Sequence, residues 1–156
     1  MAEKEIANEQ ASQFRENEKK WTKKLMGAGW TAVPSVLLKG QKALGLSSVD
    51  LVILLQIAKH WWKSSEMPFP GKASIAKCMG LDARYVRRRL IAMEKAGLIT
   101  RHRRKRGDGG DMTTAYEFTG LIKKATPLAE KEIEEIKQRT ARRGQALRKA
   151  PLRVVK

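Results

Sequence analysis

Three kinds of residue are scarce in this chain of 156 residues, and each scarcity removes a class of function. Cysteine occurs once, as Cys78, so no internal disulfide can form. Histidine occurs twice, at His60 and His102, and together with one cysteine these give no metal-ligand spacing. The basic region holds almost none of the clustered carboxylates that nuclease chemistry needs to bind its metals. The expectation is therefore no enzymatic activity, no metal and no cofactor. Long apolar runs are missing too. The longest, Leu51 to Leu55, falls far short of the ~20 residues that span a bilayer. The opening Met1-Ala2-Glu3-Lys4-Glu5 has no apolar stretch of the kind a secretory signal carries, so a cytoplasmic chain is expected, with no membrane partner.

What the chain has in excess is positive charge. Lysine and arginine number 33 against 16 acidic residues, a formal net charge of +17. Such a chain repels itself unless a polyanion neutralises it, which points to nucleic acid, an anionic membrane surface or an acidic protein. The charge is not spread evenly. Residues 72 to 106 carry twelve basic side chains and two acidic ones, Asp82 and Glu94. With 42% hydrophobic residues, the chain also has enough apolar material for a real core.

Patterning divides the chain into four parts. Residues 1–29 form a polar arm in which Ala7, Ala11, Phe14, Trp21 and Leu25 make a heptad-like stripe interrupted by Glu18, so a helix is plausible and a frayed arm equally so. Residues 30–125 form the main domain. It opens with Trp30 to Leu38, read as a short extended piece lying against the core because Pro34 forbids a central strand. A helix then starts at Ser47 or Ser48, with Asp50 favourable in its first turn. Leu51, Leu54, Leu55, Ala58 and Trp62 are its expected buried face, and it stops before Met67-Pro68-Phe69-Pro70. Trp61 and Trp62 are expected to pack rather than to stack on bases.

The next stretch carries the argument. Lys72 to Met79 reads as a short helix with Ile75, Ala76 and Met79 apolar, and Cys78 as a small, semi-buried packing residue. Gly80-Leu81-Asp82 follows, with Gly80 just past the helix end and Asp82 capping a helix from Ala83 to Ala96 that Gly97 closes. That spacing is a helix-turn-helix. Leu98 to Arg104 and Thr113 to Phe118 then read as two strands, the second with Thr114, Tyr116 and Phe118 on one face. Between them lies a glycine turn that Asp108 and Asp111 serve. Leu121 to Ala125 is expected to be a stub, residues 126–143 a separate helix beyond Pro127, and residues 144–156 a basic flexible tail. The fold class is thus mainly α with a small β-hairpin, a winged helix-turn-helix flanked by N- and C-terminal helices or tails.

From Trp30 to Leu121 the chain resembles bacterial helix-turn-helix proteins of the replication-initiator-like and transcriptional-regulator-like winged-helix group. The residues that carry the resemblance are Val33-Pro34-Ser35-Val36-Leu37-Leu38, Leu46-Ser47-Ser48, Pro68-Phe69-Pro70 and Ser74-Ile75-Ala76-Lys77-Cys78-Met79-Gly80. Tyr85-Val86-Arg87-Arg88-Arg89-Leu90 and Glu94-Lys95-Ala96-Gly97-Leu98-Ile99 complete it. The resemblance implies DNA binding, and it implies a plasmid, phage or integrative-element setting as well as a chromosomal one.

Val86, Leu90 and Met93 are spaced four and three, so they turn inward and aim the rest of their helix. Arg84, Arg88 and Ile91 then point away, flanked by Tyr85 and Arg87. Arg84, Tyr85, Arg87 and Arg88, in the N-terminal half of a recognition helix, are the expected major-groove contacts. Arg89 lies nearer the packed side, where it has either a phosphate or a neighbouring carboxylate to reach. Arg101, Arg103, Arg104, Lys105 and Arg106 are the expected wing contacts to the backbone or minor groove. Lys72, Ser74 and Lys77 are candidate backbone contacts that set register.

The leading expectation is a sequence-specific double-stranded DNA-binding regulator of transcription, nucleoid-associated, paired as a homodimer through its N- or C-terminal helix. A replication or partition factor of a mobile element is the second. The third is a non-specific basic nucleic-acid binder, for which the recognition-helix arginines would matter no more than those of the tail.

Overall fold

The computed structural model describes residue 12 and residues 14–149; Ala7 and Ala11 of the expected stripe, and residues 150–156 of the expected tail, lie outside the described residues. The chain falls into two units, one ending at Val33 and the other beginning at Pro34. In the first, residues 14–21 are helical. Thr22 breaks the helix at φ +68°, and its hydroxyl accepts the Leu25 N–H at 3.4 Å to start α1 (Lys23–Gly27). The expected arm helix is therefore interrupted at Thr22, inside the stripe between Trp21 and Leu25. Trp21 and Leu25 of the stripe are exposed, and the Phe14 and Trp30 rings lie 6.2 Å apart.

The second unit opens with a correction. Residues Ser35–Lys39 form a short helix, α2, instead of an extended piece. Pro34 excludes a strand, but at φ −62° it is preset for the residue just before a helix, where its missing N–H costs nothing. Helix α3 (Ser48–Ala58) begins at a reciprocal cap: Ser47 Oγ accepts the Asp50 N–H, and Asp50 accepts the Ser47 N–H. Its buried face is Asp50, Ile53, Leu54 and Ile57, rotated from the expected one, with Leu51, Leu55 and Ala58 only half-buried. The helix ends at Ala58, so Trp62 lies beyond it and is 78% exposed, while Trp61 packs on Phe118 at 5.4 Å between centroids. Packing therefore describes Trp61 and not Trp62.

Helices α4 (Lys72–Met79) and α5 (Ala83–Lys95) are the helix-turn-helix. Gly80 takes the left-handed conformation, φ +64°, and Leu81 N–H reaches back to the Ala76 carbonyl at 2.9 Å, closing α4 with its last carbonyls satisfied. Asp82 Oδ1 then accepts the Arg84 and Tyr85 N–H groups at 2.8 and 3.1 Å and launches α5. Cys78 is exposed, contrary to expectation, because Ile75 and Ala76 supply the buried face of this short helix. Val86, Leu90 and Met93 are the buried residues of α5, so its expected rotation is the observed one.

Strands β1 (Thr100–His102) and β2 (Ala115–Glu117) pair antiparallel, Arg101 opposite Tyr116. Both strands are shorter than expected. Leu98 and Ile99 are both buried ahead of β1, and Ala115 is buried beside Tyr116, so strict alternation fails where core wraps both sides. Tyr116 N–H also donates to the Pro68 carbonyl at 2.9 Å, which fastens the hairpin to the α3–α4 connection. The expected stub at 121–125, the separate helix expected at 126–143 and residues 144–149 of the expected flexible tail are instead one helix, α6 (Thr119–Lys149), with Pro127 and Gly144 inside it. Proline removes one hydrogen bond of a helix interior. Here Leu121 and Ala125 before it and Leu128 after it all pack on the core, and that packing carries the helix across the gap.

One core joins these elements: Ile53 and Ile57 from α3, Ile75 from α4, Val86 and Leu90 from α5, and Leu98 leading into the hairpin are its most deeply buried apolar side chains. At roughly 1.5–3 kcal/mol each, their burial holds α5 in place with its outer face free.

Candidate nucleic-acid interface

Helix α5 presents six residues from Arg84 to Arg89, four of them arginine. With Val86 and Leu90 inward, Arg84, Arg87 and Arg88 are exposed and Tyr85 is half-buried. None of these three arginines meets a carboxylate among the described residues. The Arg88 guanidinium lies 5.6 Å from the Tyr85 ring centroid, a cation–π contact that spreads the two side chains along one face. Ile91, expected to point outward with Arg88, is half-buried.

Arg89 behaves differently. Its Nε and Nη2 donate to Asp50 Oδ1 and Oδ2 at 2.8 and 2.5 Å, a two-pronged grip on a residue that is 1% exposed. Of the two readings open for Arg89, the neighbouring carboxylate is the one observed. Asp50 Oδ2 also accepts the Ser47 N–H at 2.9 Å and the Ser47 hydroxyl at 2.6 Å. Burial alone would raise the Asp50 pKa, but the Arg89 and Ser47 hydrogen bonds outweigh it and hold the carboxyl below its ordinary value. The pair ties α5 to the first turn of α3 and fixes how far α5 rotates.

The hairpin sorts its basic residues in the same way. Arg101 is held by Glu94 of α5, its Nε donating to Oε2 at 2.8 Å and its backbone N–H to Oε1 at 3.2 Å. The Arg101 hydrogen bond depresses the Glu94 pKa. Arg104 is half-buried, stacked over the Phe69 ring at 4.1 Å, and its Nη1 is buried without a partner. Arg103, Lys105 and Arg106 are exposed and make no ion pair among the described residues. The turn that carries them is internally bonded. Asp108 Oδ1 accepts the Gly110 N–H at 2.9 Å, and Arg106 N–H donates to the Gly110 carbonyl at 2.8 Å. On α4, Lys72, Ser74 and Lys77 are all exposed.

Exposed basic residues thus occur on α4, on the outer face of α5 and at the hairpin tip, while Arg89 and Arg101 are held by the carboxylates of Asp50 and Glu94. Sequence reasoning missed Asp50, Glu94 and Phe69 as anchors. Asp50 left a signal as the one charged residue of α3, and Glu94 left one as one of two acids in the basic stretch 72–106.

A helix-turn-helix followed by a two-stranded hairpin on a shared core defines a winged helix-turn-helix protein. The DnaD N-terminal domain family matches residues 33–139, and the chain belongs to that family. The N-terminal domain of DnaD protein from Geobacillus kaustophilus HTA426 is similar in structure, with a TM-score of 0.50 and 22% identity over 81% of this chain and 96% of that one. A possible transcriptional regulator from Methanosarcina mazei Go1 is 15% identical, with a TM-score of 0.42 over 65% and 82% of the two chains. YusO from Bacillus subtilis is also 15% identical, with a TM-score of 0.39 over 96% and 99%. No curated protein matches the chain. Among the described residues, no helix is long and apolar enough to cross a membrane, and no group of three or more His, Cys, Asp or Glu could hold a metal.

Proposed function

We propose that this chain binds double-stranded DNA sequence-specifically, with α5 in the major groove and the β1–β2 hairpin on the backbone or minor groove. One observation carries the reading. Arg84, Arg87 and Arg88 are exposed and unpaired on the outer face of α5, while the inward-facing Arg89 is neutralised by Asp50. A merely solvated face gains nothing from three unpaired like charges in five residues, whereas a helix laid in the major groove gains a bidentate fit to guanine N7 and O6. Each such fit discriminates by ~1–3 kcal/mol, so the bound site is expected to contain guanine. Tyr85 joins the same face. Lys72, Ser74 and Lys77 set the register by touching phosphates, and Arg101, Arg103, Arg104, Lys105 and Arg106 are the basic set of the wing. Arg101 and Arg104 have intramolecular partners, which makes Arg103, Lys105 and Arg106 the freest of the five to reach DNA.

The biological role follows from where the site lies. The first reading is a transcriptional regulator that acts as a homodimer on paired half-sites. The second is a replication or partition factor marking an origin on a mobile element; membership in the DnaD family, a family of replication initiators, supports the replication part of that reading. Nothing in either role requires the chain itself to be an enzyme.

Selection of bound sequences from a random duplex library, with wild type and Arg88→Ala side by side at near-physiological salt, tests the reading. A defined motif that relaxes in the variant supports α5 as the reader. No enriched motif, with binding that fades steeply and equally with salt in both proteins, would reduce the protein to a charge-driven binder of nucleic acid.

A further inference from the structure

Helix α6 has two apolar faces, and among the described residues only one is covered. Leu121 and Ala125 are buried and Leu128 packs on the core, so that face belongs to the domain. A second stripe, Ile122, Ile133 and Ile136, is 52%, 52% and 47% exposed. It follows a heptad: Ile122, Ala129 and Ile136 fall on one seam position, and Thr126, Ile133 and Thr140 on the other. Glu130 and Lys137 flank the seam on one side, and Glu132 and Arg139 on the other.

We propose that this stripe is the docking surface for α6 of a second copy, the two helices running antiparallel about an axis between residues 134 and 135. The proposal deepens the homodimer of the reading above by naming its surface and register. In that register Ile133 of each copy packs on Ile136 of the other, and Ala129 on Thr140. The same register places Glu130 against Lys137 of the second copy and Glu132 against Arg139, and two-fold symmetry doubles both pairs. One choice of axis therefore satisfies the central layers and these four flanking charges together, with Ile122, Lys123 and Arg143 outside that central stretch. A parallel arrangement keeps only Glu132 against Lys137. It lays the acidic stretch (Glu130, Glu132, Glu134, Glu135) along itself and the basic stretch (Lys137, Arg139, Arg142, Arg143) along itself. Glu132 already meets Lys39 within its own chain, so Glu130 with Lys137 is the less encumbered pair.

Four isoleucines make a small seam, well under the area of a stable dimer, and the expected association constant corresponds to a Kd on the order of tens of micromolar. Two half-sites on one DNA would raise the effective concentration enough to populate the pair.

Sedimentation of the full chain from about 1 to 200 µM tests this. The wild type is expected to associate. E130K/E132R and K137E/R139E are each expected to associate about tenfold or more weakly, and their equimolar mixture is expected to recover, since each then offers the charges the other lacks. Recovery on mixing also shows that neither variant is misfolded. The register is tested separately in a Cys78→Ser background. Ile133→Cys mixed with Ile136→Cys is expected to cross-link between copies, and Ile133→Cys alone is not. A wild type that stays monomeric, variants that associate like wild type, a mixture that stays apart, or self-cross-linking of Ile133→Cys alone would each overturn the proposal. Binding to a duplex carrying a single half-site separates this from the DNA reading. If pairing fails while half-site binding is kept, only the docking surface is lost; if pairing holds while Arg88→Ala binds like wild type, only the reading of α5 is lost.

Discussion

Replacing Arg89 by methionine keeps the aliphatic stem against α3 and removes the guanidinium from Asp50. The carboxylate, 1% exposed, would keep the two Ser47 donors and lose the two from Arg89. Breaking a buried ion pair from one side costs ~3–5 kcal/mol, because the remaining charge is buried without compensation. Two features reduce that figure. The Arg89 side chain is 32% exposed, so its pairing is partly screened, and Ser47 still solvates one carboxylate oxygen. A loss of about 2–3 kcal/mol is expected, lowering Tm by roughly 10 °C for a body of this size. The pH dependence has a definite sign. In the wild type the Asp50 pKa is depressed, so its contribution is present above the unfolded value near ~3.9 and is lost as pH falls through the folded value. Without Arg89, two of the lowering influences are lost while burial still raises the folded pKa, so Asp50 of the variant takes up a proton at a higher pH than in the wild type and the variant recovers relative stability there. Urea denaturation at about pH 7 and pH 3.5 should therefore show a gap between the two proteins that narrows in acid. Adding Asp50→Asn to Arg89→Met should return part of the loss. A gap under ~0.5 kcal/mol, or one equal at both pH values, would refute the account of this pair.

Two further outcomes follow from particular contacts. A Cβ on Gly120 would sit 2.2 Å from the Gly97 carbonyl oxygen, a backbone atom that cannot swing aside. Gly120→Ala is therefore expected to cost about 2 kcal/mol net, because overpacking of ~1–3 kcal/mol or more exceeds a helix-propensity gain of ~1 kcal/mol; thermal or urea unfolding that shows no loss would contradict the close approach of α6 to the end of α5. Replacing Arg103, Lys105 and Arg106 together by alanine is expected to flatten the slope of log K against log salt by about 0.9 for each lost phosphate contact, close to three in all, without changing the selected motif. An unchanged slope would take the wing off the DNA.

Local chemistry made much of the fold legible. Ser47, Asp82, Gly80 and Gly97 act within a few residues of themselves, as caps and left-handed stops, so helices α3, α4 and α5 begin where the sequence places them, and α4 and α5 end where it places them. The rotation of α5 was legible because its apolar and basic residues separate cleanly, with Val86, Leu90 and Met93 on one side. The rotation of α3 was not. Val49, Leu51, Val52, Ile53, Leu54, Leu55 and Ile57 leave a helix apolar nearly all round, and no stripe chooses its own direction. The site was legible as a set of basic residues, but not as a division into free and anchored ones.

The sequence by itself determined where the helix-turn-helix lies, which face of α5 is buried and where positive charge accumulates, because capping, periodicity and composition are short-range properties. Only the tertiary structure decided that α3 turns Asp50 inward to meet Arg89, thirty-nine positions along the chain, and that Arg101 and Arg104 are tethered by Glu94 and Phe69. It also decided that α6 continues through Pro127. Each of these depends on packing between separate elements, where the energy of a contact outweighs the local preference of the residue that makes it.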